Sequence, residues 1–331
     1  MLSRIFYSIK QSGGIVKVLY LPLGEQPATE RGFKNHPEVT ELQVFDFWSY
    51  FNSHGAPNTN QRFLDICSSF RPDIIHMQLQ MTGVISSHTL ATVRNILPQV
   101  KISNWTGDIR VHPDSYFLDI SKVVDVSLMS HVGQFDLYRS NGCKNPRYWQ
   151  IGYDDQHFYP RNYTDFQYDI VFTGNCYNND FPDAPLRAQI ASRLKSAFGP
   201  RAGIFGTGYG AVSSGSIAMR DIQEIYNRSI CIYSMSNFND VSHYFSDRLL
   251  MCMSVGRPVI SYRFPAIDKY FINNCEILIA NSAEEVISHV NYCKNNLTQA
   301  KEMGTRGAER VKAEHSYTSR VAELISMLKG I

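Results

Sequence analysis

The sequence predicts an α/β protein built from two doubly wound parallel sheets. Short apolar runs of strand length recur along the whole chain. Several of them are continuous rather than alternating, as in strands covered on both faces. Stretches of helical length separate them, as the repeating strand–helix–strand plan requires. At roughly 100–200 residues per domain, 331 residues suit two domains. A hydrophobic fraction of 44% supports two cores and excludes a disordered chain.

In the first half, strands are expected at Ile15–Leu21, Leu42–Phe47, Asp73–Met77, Val100–Trp105, Val123–Met129 and Tyr148–Ile151. Helices are expected at Asn60–Phe70 and Ser87–Ile96, the first stopped by Arg71-Pro72-Asp73. The second half repeats the plan, with strands at Asp169–Thr173, Ala202–Phe205, Ile230–Ser234, Pro258–Tyr262 and Ile277–Ala280. Pro185–Phe198 and Asp247–Val255 read as the helices between them, with Pro185 suited to a first helical position. Ala283–Cys293 sets Val286, Ile287, Val290 and Cys293 on one face. Val321, Leu324, Ile325 and Leu328 mark an amphipathic closing helix, which Ser316 or Thr318 is placed to cap.

The stretch from Gly152 to Tyr168 is poor in aliphatic residues and carries Asp154, Asp155 and Pro160, as an interdomain linker does. The expected division is a first Rossmann-like domain at 1–153, a second at 154–315, and a C-terminal helix at 316–331 crossing back to the first. Two such halves leave a central cleft between facing strand ends, where sheets of this kind bind ligands.

Lys and Arg total 32 against 30 Asp and Glu, a net charge of +2. That balance argues against a large nucleic-acid-coating surface and leaves room only for a local patch such as Lys144, Arg147 and Arg161. No run approaches the roughly 18 apolar residues of a membrane span. Lys10, Gln11 and the Gly13-Gly14 pair interrupt the apolar start, and no small-residue cleavage site follows, so a cytoplasmic protein without a signal peptide is expected. The seven cysteines are scattered without a C-x-x-C, as reduced and mostly buried thiols are. The Asn-x-Ser/Thr matches at Asn104, Asn162, Asn227 and Asn296 read as chance in such a chain. There is no Asp-x-Asp pair to hold a metal on a nucleotide-sugar, no G-x-x-x-x-G-K-[ST], no H-E-x-x-H and no G-x-S-x-G. The expectation is chemistry without a bound metal or resident cofactor.

Four segments carry candidate chemistry. Asp169–Asn175 is a strand entering a glycine turn at Gly174, either a plain tight turn or one that turns backbone N–H groups towards a phosphate. Gly203, Gly206, Gly208 and Gly210 follow the next strand without the G-x-G-x-x-G spacing of a dinucleotide site, which leaves a surface turn or a loop beside a nucleotide. Ser246-Asp247-Arg248 opens a helix that Gly256 ends. This is either an ordinary capped helix or a diphosphate site made of a helix N-terminus and an arginine. Asn104–His112 places Asp108 just past a strand, as a turn carboxylate or as a group that orients or deprotonates a hydroxyl. His76 sits in or just after a strand, as a core or rim histidine or as a catalytic one.

Taken together, these blocks resemble the group 1 glycosyltransferases of GT-B fold, especially the CgeB-like, spore-maturation-type branch. Gln150–Pro160 is similar to the family's P-x-G-x-D-x-x-x-F-x-P. Ile204–Gly208 is similar to Y-G-x-G, Ile225–Ser229 to I-Y-N-x-S, and Ser246–Ile260 to S-x-R-x-x-E-x-x-x-x-G-x-P-V-I. Glu314–Arg320 is similar to the closing E-H-T-Y-x-x-R. The resemblance spans roughly residues 150–328. In the first half it rests mainly on Pro72–Gln78 and the Trp105-to-Asp108 segment.

The resemblance implies metal-independent transfer of a sugar, of hexose type, from a nucleotide-diphosphate donor (UDP- or GDP-sugar) to an acceptor facing the first domain. The acceptor class stays open among glycan, protein, small molecule and DNA. Gly174, Asn175, Gly206 and Gly208 are implied to line the phosphate side, and Arg248 to contact the donor beside Ser246 and Asp247. The loop from Asn237 through Asp240 to His243 is implied to cover the sugar, with Asp108 or His76 serving the acceptor hydroxyl. One position departs from the pattern. Met251 stands where the family places a ribose-binding glutamate, and a thioether cannot replace a carboxylate as a hydrogen-bond acceptor. Two other readings therefore stand beside transfer: a degenerate binding or scaffold protein on the same fold, and a phage-type DNA-base glycosyltransferase.

Overall fold

β2 (Val16–Leu21) lies inside the first sheet as a buried parallel strand, and the strands that follow it are laid down on both of its sides. The computed structural model describes residues 6–10, 16–80, 82–177 and 181–331. In chain order the first part runs β1 (Phe6–Lys10), β2, α1 (Pro27–Asn35), β3 (Val39–Phe45), α2 (Phe47–Phe70), β4 (Ile74–Met77) and α3 (Ser87–Ile96). β5 (Lys101–Thr106), α4 (Ser115–Ser121), β6 (Val126–Met129), α5 (Phe135–Ser140) and β7 (Pro146–Tyr148) follow. The sheet order is β1-β3-β2-β4-β5-β6-β7, parallel except at one edge.

That edge is a correction to the all-parallel expectation. β1 pairs antiparallel with β3, Phe6 opposite Phe45 and Lys10 opposite Glu41. A short edge strand needs only backbone partners on one side, and antiparallel edges on parallel sheets are common. Of the expected strand Ile15–Leu21, Ile15 lies outside the described residues. α2 is longer than expected because Asp46 caps it, its carboxylate accepting from the Ser49 N–H at 2.9 Å. Gly55, at φ +76°, kinks the helix before the stretch legible from sequence begins.

The second part runs β8 (Tyr168–Thr173), α6 (Ala184–Phe198), β9 (Ala202–Phe205), α7 (Met219–Asn227), β10 (Ser229–Ser234), α8 (Asp247–Ser254) and β11 (Val259–Tyr262). β12 (Leu278–Ala280), α9 (Ala283–Asn295), α10 (Leu297–Glu314) and α11 (Tyr317–Lys329) complete it. Its five parallel strands take the order β12-β11-β10-β8-β9. The chain therefore reverses direction beside β8, and the carboxyl end of such a switch point is where an open α/β sheet leaves a crevice.

The fold divides into two units, one ending at Gln150 and including Tyr317–Ile331, the other Ile151–Ser316. α11 belongs to the first unit because Val321, Leu324, Ile325 and Leu328, the face legible as an apolar stripe, are all fully buried. Trp149 also donates from its indole to the Arg320 carbonyl at 2.7 Å. The core of the second unit lies on both faces of its sheet: Ile170, Phe172 and Ile204 with α6 and α9 on one, Val171, Ile232 and Leu250 with α8 on the other.

Candidate functional site

A cavity of about 180 Å³ opens in the second unit at the carboxyl ends of β8 and β9. Its polar side is Thr173, Gly174, Asn175, Asp247 and Arg248. Its apolar side is Phe205, Ile217, Met219, Ile222 and Met251.

The glycine turns make room for this cavity. Gly174 has φ +103°, and a Cβ there would stand 2.6 Å from Cζ of Arg248. Gly206 has φ +137°, and its Cβ would stand 2.5 Å from the Gly174 carbonyl oxygen. These are conformations and contacts open only to glycine. The Gly174 N–H does not face a ligand, because it donates to the Phe205 carbonyl at 2.9 Å. The turn's contribution is thus the space that Arg248 fills, rather than that amide.

α8 delivers the charged groups. Ser246 occupies the N-cap position, yet its side chain makes no capping hydrogen bond. The positive end of the helix stands beside Asp247 and Arg248, with the Leu249 N–H bonded back to the Ser246 carbonyl at 3.0 Å. Arg248 is half-buried; its Nε is shut off from solvent and has no hydrogen-bond partner among the described residues. An unpaired guanidinium N–H held in a pocket is costly unless an anion completes it.

A second arginine braces the same place. Arg187, in α6, is fully buried. Its Nε donates to the Tyr209 hydroxyl at 2.8 Å, Nη2 to the Thr173 carbonyl at 3.0 Å, and Nη1 to the Met235 carbonyl. Its Cζ lies 4.3 Å from the Phe172 ring centroid. It ties the ends of β8 and β10 together. Burial, followed by the neighbouring Arg248 charge, pushes its pKa down to about 10. Tyr226 completes the floor, its hydroxyl 2.5 Å from Thr173 Oγ1.

Of the donor-side residues expected from sequence, the cavity gathers Gly174, Asn175, Gly206, Asp247 and Arg248. It does not gather Gly208, Asn237, Asp240, His243 or Ser246 among its lining. Gly208 instead lets its loop lie against Cys176, whose carbonyl oxygen a Cβ would overlap. Asn237 belongs to a loop that Asn239 folds by bonding Asp183 at 2.6 and 2.8 Å. Asp240 is exposed in that loop. His243, at φ +66°, bonds Ser242 at 2.7 Å. The apolar wall from Ile217 to Ile222, and Arg187, were not legible as site residues. They converge only after α6, β9 and α7 have packed, and no local motif marks them.

In the first unit, Asp108 is exposed past β5 and pairs with Arg110 at 3.5 Å. His76 has no exposed surface. It lies within β4, its Nδ1 2.9 Å from Ser103 Oγ, and it stacks on Tyr20 and meets Trp149 edge-on. Burial pushes its pKa down to about 3. Of the two roles open to it in the sequence, this geometry is that of a neutral core histidine.

Residues 187–326 match the family model described as "Glycosyl transferase-like". No curated protein is matched by sequence. Among solved structures, the chain is similar to sucrose-phosphate synthase of Thermosynechococcus elongatus at 12% identity and TM-score 0.61, over 95% of this chain and 98% of that one. It is similar to Alr3699/HepE of Anabaena in complex with UDP at 10% identity and TM-score 0.63, over 96% and 100%. That protein is also known in complexes with UDP and glucose and with UDP-glucose. A glycosyltransferase of Rickettsia africae is similar at 11% identity and TM-score 0.62, over 96% and 98%. These likenesses establish the fold: two parallel-sheet α/β domains of GT-B type.

Proposed function

We propose that the chain is a glycosyltransferase that takes a nucleotide-diphosphate sugar, with the diphosphate at Arg248 and the first turn of α8. The observation that carries this reading is the buried, unpartnered Nε of Arg248, set over Gly174 at the mouth of an uncapped helix. A diphosphate supplies the acceptor that this group lacks. The UDP and UDP-glucose complexes of the Anabaena neighbour support the same choice of donor class, with UDP the first to test.

In this mechanism the sugar–phosphate bond breaks as charge builds on the leaving diphosphate. Arg248 and the helix terminus meet that charge with fixed dipoles and a fixed cation in a partly dry site, where they act most strongly. The transfer is assigned to these groups without a metal ion. Phe205, Ile217 and Ile222 offer an apolar wall to the base, and Asp247 offers a carboxylate to donor hydroxyls. Asp108 is the carboxylate we assign to the acceptor hydroxyl.

The test is a thermal-shift screen against UDP, GDP, ADP, TDP and CMP, followed by turnover of the matching sugars with and without EDTA. A ligand of the folded state raises its melting temperature by mass action. A shift with one nucleotide, and EDTA-insensitive turnover, are expected. Folded protein that shifts with none of them overturns the reading. Met251 in the cavity wall favours one competitor, a binding protein of the same fold, for which binding without turnover is the signature.

A further inference from the structure

The second unit holds a larger cavity away from the one just described, at the amino ends of β10 and β11. It measures about 880 Å³ and lies among the Pro160–Phe166 segment, the turn before β11 and the first turn of α10. Volumes of this order hold small organic ligands.

Three cations line it: Arg161, Arg257 and Lys301. No described residue lining it is a carboxylate, and none of the three cations forms an ion pair with a described residue. Arg257 is the built part. It is nine-tenths buried, with Nε on the Asn227 carbonyl at 3.0 Å and Nη2 on the Tyr163 carbonyl at 2.9 Å. Its Cζ lies 4.7 Å from the Phe166 ring centroid. These contacts lock the guanidinium in the wall, and no described residue bonds its Nη1.

α10 adds an independent feature. It is 18 residues long and carries no acidic residue in its first turn. Its N-cap, Asn296, makes no capping bond, because its amide donates back to the Tyr292 carbonyl of α9 at 2.9 Å. Leu297, Thr298 and Ala300 of that open turn line the cavity. A buried cation and an uncapped helix N-terminus facing one space form an anion site. Ile230, Val255, Pro258, Phe166 and the half-exposed side chain of Leu297 give the wall an apolar side, beside the polar Asn162, Thr164 and Thr305.

We infer that this cavity binds a phosphate ester with an apolar body, its phosphate on Arg257, Lys301 and the start of α10. Such a group could be carried by a soluble metabolite or by a lipid headgroup. The inference does not depend on the donor site.

The probes are dihexanoyl phosphatidic acid, inorganic phosphate, and phosphatidylcholine vesicles with and without phosphatidic acid. Calorimetry of the full chain is expected to give one site for the soluble amphiphile, with inorganic phosphate at least tenfold weaker. Lys301→Glu and Arg161→Glu change side chains at the solvent rim and leave the melting temperature unchanged. Lys301→Glu is expected to weaken the amphiphile about tenfold or more, as loss of a charged hydrogen bond does, and Arg161→Glu to weaken it less, by setting a negative charge at the rim. Co-sedimentation with phosphatidic acid vesicles that Lys301→Glu abolishes identifies a headgroup; binding of the soluble probe alone identifies a metabolite. No binding of the soluble amphiphile, or binding that both variants leave intact, overturns the inference. Nucleotide shifts measured on the same samples report the other site separately.

Discussion

The guanidinium of Arg248 lies directly over Gly174, so close that a Cβ on residue 174 would stand 2.6 Å from its Cζ. One residue's lack of a side chain therefore sets where the other's charge sits. Gly174→Ala forces a left-handed backbone on an alanine and displaces the arginine. The expected cost is about 1–3 kcal/mol of stability. The nucleotide-induced thermal shift is expected to disappear as well, read by comparing melts with and without UDP.

Arg248→Leu separates binding from stability. The wild-type Nε is buried without a partner among the described residues, a desolvation cost that the neighbouring Asp247 carboxylate offsets. The melting temperature of the unliganded variant is expected to stay close to that of the wild type. Nucleotide binding is expected to weaken by about tenfold to a hundredfold, the scale of one or two charge-assisted hydrogen bonds. A lowered melting temperature with binding retained would assign Arg248 to the scaffold.

Arg187→Met is expected to do the reverse. It strips donors from the Thr173 and Met235 carbonyls and from Tyr209. Leaving buried carbonyls unpaired costs about 1–3 kcal/mol each, or roughly 10 °C in melting temperature for a domain of this size. Arg187→Lys, which keeps the charge but cannot reach three partners, is expected to fall between. A calorimetric scan of both variants checks the order.

These residues differ in how far the sequence revealed them. Gly174 and Arg248 stand in local patterns, a strand running into a glycine and a helix start, and such patterns survive folding. The strands of the second unit read well for the same reason, since each is a continuous apolar run. Arg187 looks like one of several helix cations until α6 turns it inward onto Phe172 and Thr173. The wall from Ile217 to Ile222 follows an irregular loop whose path depends on Gly206 bonding Gly215. His76 was ambiguous because one strand residue says nothing of what covers it. Tyr20 and Trp149 cover it from 56 residues before and 73 after.

That burial sets a pH dependence. The His76 pKa falls from 6.5 to about 3 on folding, so the unfolded chain binds more protons between those values. Stability is therefore full above pH 6.5 and is lost as pH falls, by an amount on the order of 4 kcal/mol across the window. His131, pushed down to about 4 by burial, adds in the same sense. Urea denaturation at pH 7 and pH 5 should give a smaller drop for His76→Gln than for the wild type. Equal drops would mean that His76 reaches solvent.

Met251 poses the last question, because it lies three residues beyond Arg248 on the same helix and lines the same cavity. Three residues advance an α-helix about 4.5 Å, close to the step from a nucleotide's phosphate to its ribose. If the diphosphate sits on Arg248, the ribose therefore meets a thioether that accepts no strong hydrogen bond. Met251→Glu supplies an acceptor at that spot. UDP is expected to bind about tenfold more tightly to the variant, as one added charged hydrogen bond allows, while 2′-deoxy-UDP gains less. Calorimetry with the two nucleotides reads both effects. An equal gain for both, or weaker binding of UDP, would put the ribose elsewhere, with Asp247 as its remaining carboxylate among the described residues of the cavity.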